Sequence, residues 1–378
     1  MTRPDDVLDV AVIGGGQAGL AMAWHLRRHG LRFAVLDAAP EVGATWRSRW
    51  DSLRLFTSAR YDGLPGLRFP GAGDRYPTKD EVADYLRGYA AAFDLPVRLD
   101  SRVHSLTSCG DGYELGTARG RIRAQQVVVA TGPFQVSSVP GLATGLDPAV
   151  TQLHSSDYRG PHQLPDGPVL VVGDGNSGRQ IAAELATTRR VDLATSGTAA
   201  VVPQRPLGRD LFWWLTGLGL VTAPADSRIG RRMRARGELV VGTTDRMLRD
   251  TGVTLRPRLT AVDGLTGRFA DGAMLALDTV VWATGFRRDH SWIDVPGALI
   301  DGRPVHERGV SPVPGLHFLG LPWQHSRGSA LLGFVGHDAA HLTQRITASA
   351  ATRRNHRRDD TSLRRSLEPS HSPARSTP

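Results

Sequence analysis

Residues 10–26 read VAVIGGGQAGLAMAWHL, and residues 169–185 read VLVVGDGNSGRQIAAEL. Each stretch leads from a short apolar run through the pattern Gly-x-Gly-x-x-Gly into residues with the apolar spacing of a helix. A dinucleotide-binding turn needs this order, because its glycines make a tight turn, admit a pyrophosphate to the backbone and let helix and strand pack closely. The sequence therefore predicts two dinucleotide-binding units in one chain.

The first unit has the complete pattern of strand, turn, helix and second strand. Its turn glycines are Gly14, Gly16 and Gly19, and the helix that follows offers N–H groups and partial positive charge to phosphates. The next strand lies in FAVLDAAP and ends at Asp37, a carboxylate that can accept hydrogen bonds from ribose hydroxyls. This framing predicts a bound dinucleotide, and a Gly-rich turn without a ligand is the alternative.

The second unit differs from the first at the residue that would face the ribose. Ser196 stands at the spacing where the first unit has Asp37, and Arg205 and Arg209 follow it. A ribose with a 2′-phosphate is repelled by a carboxylate and held by hydroxyls and arginines. The second unit is therefore predicted to prefer NADPH to NADH, unless the two arginines are ordinary surface residues.

The two units suggest two different dinucleotides and an interleaved fold. A flavin can take a hydride from a nicotinamide, so FAD on the first turn and NADPH on the second form a natural pair. We predict an α/β fold of two interleaved Rossmann-like, three-layer dinucleotide-binding domains. The FAD domain is expected over residues 1–160 and 286–350 and the NADPH domain over 161–285, with a small antiparallel layer from a hairpin at about 113–130.

Composition and charge limit the other classes of function. The one cysteine, Cys109, leaves no intrachain disulfide and no CxxC pair, and no metal-ligand spacing is present, so we expect no metal and no catalytic triad. We also expect a cytoplasmic protein without integral membrane association, because no signal-peptide pattern starts the chain and the longest apolar window, 211–224, is too short to span a bilayer. That window is a candidate substrate channel, a membrane-skimming segment or a buried helix.

The chain has a net charge of +9, to which the C-terminal residues contribute strongly. Residues 351–378 are rich in Ser, Pro and Arg and hold seven arginines against three acids. They lack apolar periodicity, so we predict a disordered, solvated basic tail rather than a surface that binds nucleic acid.

Several longer motifs carry a resemblance that extends over about residues 7–346. The chain resembles the two-dinucleotide-binding-domain flavoproteins, most closely the flavin-containing monooxygenase group and its bacterial branch often labelled as flavoproteins linked to cation transport. The motifs are GATWRSRWDSLRLFT (43–57), RYPTKDEVADYLRGYAAAFDLPV (75–97), VVVATGPF (127–134), HSSDYR (154–159), VVWATGF (280–286) and GLHFLGLPWQHSRGSALLGFVGHDAAHL (315–342).

The resemblance places further candidate residues around the cofactors. Trp46 is predicted either to cover the isoalloxazine ring or to pack, and Arg327 begins an apolar stretch whose helix N-terminus would face the flavin. In many flavin-containing monooxygenases an Asn follows a Phe-Thr pair near the flavin, and here Ser58 follows such a pair. We therefore name Trp46, Ser58 and Arg327 as candidate catalytic residues. The candidate cofactor-binding residues are Gly14, Gly16, Gln17, Ala18, Gly19, Asp37, Thr45, Trp46, Val103, Thr131, Gly132, Gly173, Gly175, Asn176, Ser177, Gly178, Ser196, Arg205, Arg209, Thr284, Gly285, Gly320 and Ser329.

The resemblance implies an FAD-dependent, NADPH-using monooxygenase. Such an enzyme inserts one oxygen from O₂, through a C4a-(hydro)peroxyflavin, into a small substrate with a soft nucleophilic nitrogen or sulfur. Ketones are less expected, because Tyr158 stands where the Baeyer–Villiger signature has Trp, and Pro148 and Val150 replace its earlier Phe and Gly. The alternatives are an NADPH-dependent flavin reductase or oxidase with a quinone or protein acceptor, and a non-catalytic FAD- and NADPH-binding accessory protein. The oligomeric state is left open, with a homodimer as one option.

Overall fold

The computed structural model describes residues 7–110, 112–197, 200–237 and 239–366. Within these residues, strands and helices alternate around the two glycine turns, and runs of strands without an α-helix extend over residues 97–172 and 254–318. The helices are α1 (Gln17–Arg28), α2 (Ala44–Arg47), α3 (Lys79–Ala92), α4 (Asn176–Leu185), α5 (Leu211–Gly217), α6 (Arg228–Ala235), α7 (Asp245–Asp250) and α8 (Val335–Ser366).

The strands are β1 (Val7–Ile13), β2 (Phe33–Leu36), β3 (Val97–Arg98), β4 (Val103–Cys109), β5 (Gly112–Thr117), β6 (Gly120–Val129), β7 (Val136–Ser137), β8 (Thr151–His154), β9 (Val169–Val172), β10 (Val191–Ala194), β11 (Ala200–Val202), β12 (Leu239–Val241), β13 (Thr254–Arg256), β14 (Leu259–Asp263), β15 (Thr266–Phe269), β16 (Met274–Ala276), β17 (Thr279–Trp282), β18 (Phe286–Arg287), β19 (Ile293–Asp294), β20 (Leu299–Ile300), β21 (Arg303–Pro304) and β22 (Leu316–Phe318).

Two sheets follow the same plan. The first has the order β19-β4-β5-β6-β1-β2-β3, with β22 also paired to β6, and the second has the order β13-β10-β9-β17-β8. In both, the strand before the glycine turn lies at the centre, between the second strand of its unit and a strand that arrives from later in the chain. All of these central pairs are parallel, as crossover connections through helices require. The predicted α/β fold with two Rossmann-like units is confirmed.

The parallel strands of each sheet have helices on one face and antiparallel strands on the other, and in the first sheet these antiparallel strands, β4 and β5, continue the same sheet from β6. On β1, Val10 and Val12 pack into the core shared with α1 and α8, whereas Ala11 and Ile13 face a second core with β4 and β5. The alternation follows from the two-residue period of a strand. The predicted antiparallel layer near 113–130 is present, and a second one, β14-β15-β16, covers the other sheet.

The chain crosses between the two sheets at a short two-stranded link. Strand β7 pairs with β18 in antiparallel fashion, Val136 opposite Arg287 and Ser137 opposite Phe286. Strand β8 lies after the first crossing and pairs with β17 in the second sheet, although it precedes the expected boundary at residue 160. The second unit therefore begins earlier than the sequence suggested, because the edge of its sheet is completed by a strand from before its glycine turn.

The C-terminal region also differs from the expectation. Helix α8 continues to Ser366, so residues 351–366 are helical where the sequence predicted a disordered tail, and residues 367–378 lie outside the described part of the chain. The first part of helix α8 is anchored by the buried side chains of Ala339, Leu342 and Ile346. The residues that follow are rich in Ala and Arg, which favour continuation of a helix. Among the described residues no helix is both long and apolar enough to cross a membrane.

Candidate active site between the two glycine turns

The first glycine turn packs directly against the end of β6. Gly14 has a φ of +106°, and a Cβ there would lie 2.5 Å from the carbonyl oxygen of Ala130. A Cβ at Gly19 would lie 1.8 Å from the carbonyl oxygen of Gly14. A Cβ at Gly16 would meet no protein atom within 4 Å, so this residue borders open space. The turn thus presents bare backbone to the place where a pyrophosphate would bind.

Asp37 lies above this turn at the end of β2. Its two carboxylate oxygens accept hydrogen bonds from the backbone N–H groups of Gly15 and Ala39. The carbonyl oxygen of Asp37 accepts the N–H of Ser101 at 2.7 Å, which brings the start of β4 at Val103 to the same end of the sheet. This is the arrangement that ribose recognition by an acidic residue requires.

Three distant segments meet at the N-terminus of α1. The indole N–H of Trp46 donates to the side-chain oxygen of Gln17 at 3.2 Å, and the amide nitrogen of Gln17 lies 3.4 Å from the carbonyl oxygen of Ala330. A Cβ at Gly320, which has a φ of +81°, would lie 2.8 Å from the Cβ of Ala18. The stretch around Trp46 and the C-terminal turn therefore meet at the N-terminus of α1, and their contact with a flavin stays a prediction.

Both Ala-Thr-Gly triplets form hydrogen bonds with residues next to the two-stranded link between the sheets. The side-chain amide of Gln135 donates to the hydroxyl of Thr131 and to the carbonyl oxygen of Gly132. The hydroxyl of Thr284 donates to the carbonyl oxygen of Ser138. These threonine side chains are thus engaged with residues of the link, and their cofactor role stays a prediction.

The second glycine turn repeats the first. Gly173 has a φ of +110°, a Cβ there would lie 2.4 Å from the carbonyl oxygen of Ala283, and a Cβ at Gly178 would lie 1.8 Å from that of Gly173. Gly175 borders open space as Gly16 does. The side chain of Asn176 bonds to the backbone of β12 through both its oxygen and its nitrogen, so it fixes the neighbouring strand.

The second unit also has a carboxylate beside its glycine turn, as the first unit has Asp37. The hydroxyl of Ser196 donates to a carboxylate oxygen of Asp174 at 3.1 Å. Asp174 stands at the middle of the second turn, where the first turn has Gly15, and it is buried. The second site therefore keeps a carboxylate near the ribose position and supplies it from the turn instead of the strand end.

A cavity of about 760 Å³ opens beside Ser196 and Asp174, at the carboxyl ends of β10 and β13. Its cationic side chains come from α4, α7 and β13. The lining residues are Asp174, Arg179, Thr195, Gly197, Val201, Thr244, Asp245, Arg246, Arg249, Leu255, Arg256 and Pro257. Three of the four arginines carry no motif signal in the sequence, and only the pairing of β13 with β10 brings that region to the second turn.

Arg205 and Arg209 do not line this cavity. Arg205 donates to the hydroxyl of Tyr76 at 3.3 Å, and the guanidinium carbon of Arg209 lies 4.8 Å from the ring centre of Trp213. The reason is local, since the chain turns at the 3-10 helix Pro206–Gly208 and carries this segment onto the first unit. The structure thus separates both arginines from Ser196.

Ser58 is buried beside a second unusual group. It precedes the 3-10 helix Ala59–Tyr61, and its neighbour Thr57 donates a hydrogen bond to Asp62 at 2.5 Å. The other carboxylate oxygen of Asp62 has no hydrogen-bond partner among the described residues. Burial, together with the nearby charge of Asp210, raises the pKa of Asp62 to about 7, against the lowering effect of the Thr57 hydrogen bond.

An aromatic cluster adjoins this loop. Phe56 stacks on Phe212 of α5 with ring centres 6.0 Å apart, and Tyr61 stacks on Phe334 at 6.4 Å. Phe212 is fully buried, whereas Trp213 is 40% exposed, so the segment predicted as a channel, a membrane-skimming element or a buried helix is a short amphipathic helix here. The cluster joins α5 of the second unit to the candidate catalytic loop.

The turn at Arg327–Ala330 differs from the expected helix start. It is a 3-10 helix, and α8 begins only at Val335, so the stretch after Arg327 does not aim an α-helix N-terminus at the flavin site. Ser329 is buried, and its hydroxyl oxygen accepts the N–H groups of His325 and Ser326. Its role in the structure is to shape this turn.

Of the remaining candidates, two lie at helix starts and one at the link. Thr45 is exposed within α2, and Ser177 is half-buried in the first turn of α4. The carbonyl oxygen of Gly285 accepts the N–H of Ser138 and lies 3.0 Å from Nε2 of His154.

Comparison with known proteins agrees with this geometry. A model of the pyridine nucleotide-disulphide oxidoreductase family matches residues 11–206. The chain belongs to this family. It is 43% identical to an oxidoreductase of Geobacillus kaustophilus named CzcO-like, over 90% of this chain and 98% of that protein.

Flavin monooxygenases are among the similar proteins. A solved structure of a flavin-containing monooxygenase from Stenotrophomonas maltophilia has a TM-score of 0.77 and 29% identity, covering 91% of this chain and 99% of that one. The rice indole-3-pyruvate monooxygenase YUCCA1 is 28% identical over 86% of each chain. The predicted resemblance to the flavin-containing monooxygenase group is confirmed, and the chain is a flavin-dependent oxidoreductase.

We predict that G16A and G19A separate ligand binding from folding. G16A should leave the melting temperature of the flavin-free protein unchanged and weaken FAD binding at least about tenfold, because the added methyl group occupies ligand space. G19A should destabilise the flavin-free protein, since its Cβ meets backbone 1.8 Å away. G175A is the matched control and should retain FAD. Fluorescence titration with FAD checks this, and wild-type affinity in G16A would contradict it.

Asp62 should make stability depend on pH in an unusual direction. The folded protein binds the proton of this carboxyl more tightly than the unfolded chain, so the free energy of unfolding should fall as pH rises from the ordinary pKa of 3.8 to about 7. In D62N this part of the decrease should disappear. Urea unfolding of both proteins at about pH 5 and about pH 8 measures it, and an equal decrease in both would show that another group is responsible.

Proposed function

We propose that this chain is an FAD-dependent, NADPH-using monooxygenase that transfers one oxygen atom of O₂ to a small substrate with a soft nitrogen or sulfur nucleophile. The observation that carries the proposal is the coupling of two equivalent glycine turns through one short link. Similarity to flavin monooxygenases supports the same reaction class.

The link connects the two nucleotide sites with few intervening residues. Ala130 touches Gly14, Ala283 touches Gly173, and the residues that follow each triplet form the β7–β18 pair. The helix side of both sheets shares one continuous hydrophobic core. The arrangement suits a reaction in which a nicotinamide on the second unit must reach a flavin on the first.

When bound, FAD would accept a hydride from NADPH and activate O₂. The chain's own residues have a largely positional role. Trp46, Gln17 and the Ala330 carbonyl close the N-terminus of α1, and the buried Ser58 loop with its aromatic cluster keeps water out of the region beside it. Exclusion of water protects reactive species and strengthens electrostatic interactions. The stacked rings of Phe56 and Phe212 form a packed apolar cluster that fixes the Ser58 loop.

Disulfide reduction is disfavoured, because Cys109 has no cysteine to pair with in this chain. A quinone or protein acceptor is the alternative that the stopped-flow experiment below separates from monooxygenation. A cytoplasmic location and the identity of the substrate stay predictions.

The NADPH preference is better explained by the cavity than by Arg205 and Arg209. We assign the 2′-phosphate of NADPH to Arg246 and Arg249 of α7, with Arg256 behind them. Arg256 is held by a 2.7 Å ion pair with the buried Asp192, whereas Arg246 and Arg249 are largely exposed and each pair only weakly with an acid of α7. Two mobile guanidinium groups can therefore turn toward a phosphate and offset the carboxylate of Asp174.

The reaction class is tested by mixing the FAD-loaded protein, reduced with NADPH, with oxygenated buffer in a stopped-flow spectrophotometer. A monooxygenase should show a spectral phase distinct from reduced and oxidised flavin before the oxidised spectrum returns. Direct return with stoichiometric peroxide would contradict monooxygenation and favour the oxidase alternative.

The arginine assignment predicts a change in cofactor preference. Replacing Arg246 and Arg249 together by Ala should weaken NADPH binding about tenfold and leave NADH binding unchanged, since only NADPH carries the extra phosphate. R209A, which removes an arginine outside the cavity, is the control and should behave as wild type. Equal loss for both dinucleotides, or a larger effect of R209A, would contradict the assignment.

A further inference from the structure

Arg49 is a half-buried cation that lacks a counter-ion. Among the described residues no acid lies within ion-pair distance of its guanidinium, and no hydrogen bond is donated by that group. Arg47, two residues earlier, pairs instead with three acids, Glu41, Asp80 and Asp84. The contrast shows that the missing partner of Arg49 is not a general property of arginines in this loop.

The place of Arg49 in the fold is specific. Its guanidinium carbon lies 5.3 Å from the ring centre of Phe134 and 5.5 Å from that of Phe286, and the two rings lie 5.3 Å apart. Phe134 follows the first Ala-Thr-Gly triplet by two residues, and Phe286 directly follows the second. Arg49 therefore lies against the residues that follow both Ala-Thr-Gly triplets, beside the β7–β18 link.

Arg159 and His154 are neighbours of Arg49, and an acid, Asp157, acts on His154. Burial lowers the pKa of Arg49, and the charge of Arg159 lowers it further. Burial also lowers the pKa of His154, whose ring packs on Phe286, and the charge of Arg49 acts on it in the same direction. The guanidinium of Arg159 is already bonded to the carbonyl oxygens of Ser156 and Tyr158. Arg49 therefore has a cationic neighbour, Arg159, and a donor group that has no acceptor among the described residues.

Burying a cation without a counter-ion costs free energy. The cation–π contacts of Arg49 offset only part of that cost, since each contributes about 0.5–2 kcal/mol. An arginine stays charged at any ordinary pH, and its planar fork of donors matches phosphate oxygens in a two-pronged geometry. A dinucleotide bound at a glycine turn carries such oxygens in its pyrophosphate. A bound phosphate would supply both the missing charge and the missing acceptors.

We propose that Arg49 binds a pyrophosphate oxygen of the nicotinamide dinucleotide held by the second turn. This inference rests on the proposed use of a nicotinamide dinucleotide. The pyrophosphate of FAD on the first turn is the other possible source of the same chemistry. Arg49, from the first unit, would thus contribute to dinucleotide binding at the second unit.

The test compares R49M, F134A and R287M in the full-length, FAD-loaded protein. R49M removes the charge and keeps most of the stem, F134A removes one stacked ring and keeps the charge, and R287M removes a nearby exposed arginine. Dissociation constants are measured for NADP⁺ and NADH, and the affinity for FAD is measured by reconstitution. Melting temperatures confirm that each variant is folded.

R49M should weaken NADP⁺ and NADH by the same factor, about tenfold, because both carry the pyrophosphate. This equality separates Arg49 from the arginines of the cavity, which act on NADP⁺ alone. F134A and R287M should stay within about threefold of wild type. If R49M does not fold, R49K replaces it, and it should bind both dinucleotides more weakly than wild type.

Three results would overturn the proposal. Unchanged affinities in R49M, or in R49K where it is used, would show that no phosphate needs the group. An equal loss in F134A and R49M would show that Arg49 only braces the two rings. A loss of FAD affinity alone would assign the phosphate to the first turn. If wild type binds neither nicotinamide dinucleotide, the proposed function fails and the FAD measurement alone decides whether Arg49 binds a phosphate.

Discussion

The close approach of bare glycine backbone to the end of a neighbouring strand is the constraint on which this structure depends. Gly14 lies against Ala130 and Gly173 against Ala283 at distances that leave no room for a side chain. The ends of β6 and β17 pass close to these glycines through Ala130 and Ala283. The chain therefore leaves each sheet after its Ala-Thr-Gly triplet. Both exits then lead into the same two-stranded link, β7 with β18.

This link explains why two similar units can perform one reaction. Each turn leaves one glycine open to a ligand, Gly16 in the first unit and Gly175 in the second. The shared core and the paired strands hold these openings in a defined relation, so that chemistry between two bound dinucleotides needs no further catalytic group at the link. The carboxylates beside the two turns differ in origin, because Asp37 ends a strand whereas Asp174 lies within its turn.

The sequence predicted features that are decided within a few residues. It missed those that depend on how segments distant in the chain pack together. Both turns, Asp37 and the strand ends at the triplets follow from short patterns, because their geometry is decided within a few residues. The distance of Arg205 from Ser196 could not be predicted, since it depends on how the chain turns after β11 and packs on Tyr76. The arginines of α7 were missed for the same reason, since only the pairing of β13 with β10 places that region beside the second turn. Asp174 was visible in the second motif itself, between its first two glycines.

The most direct test of the account is anaerobic mixing of the FAD-loaded protein with NADPH while the flavin absorbance is recorded. If the link places the two dinucleotides in contact, the oxidised flavin band should bleach in a single turnover, and NADPH should act at lower concentration than NADH. Retention of the oxidised band with bound NADPH would contradict the central claim, because two occupied sites would then exist without hydride transfer between them.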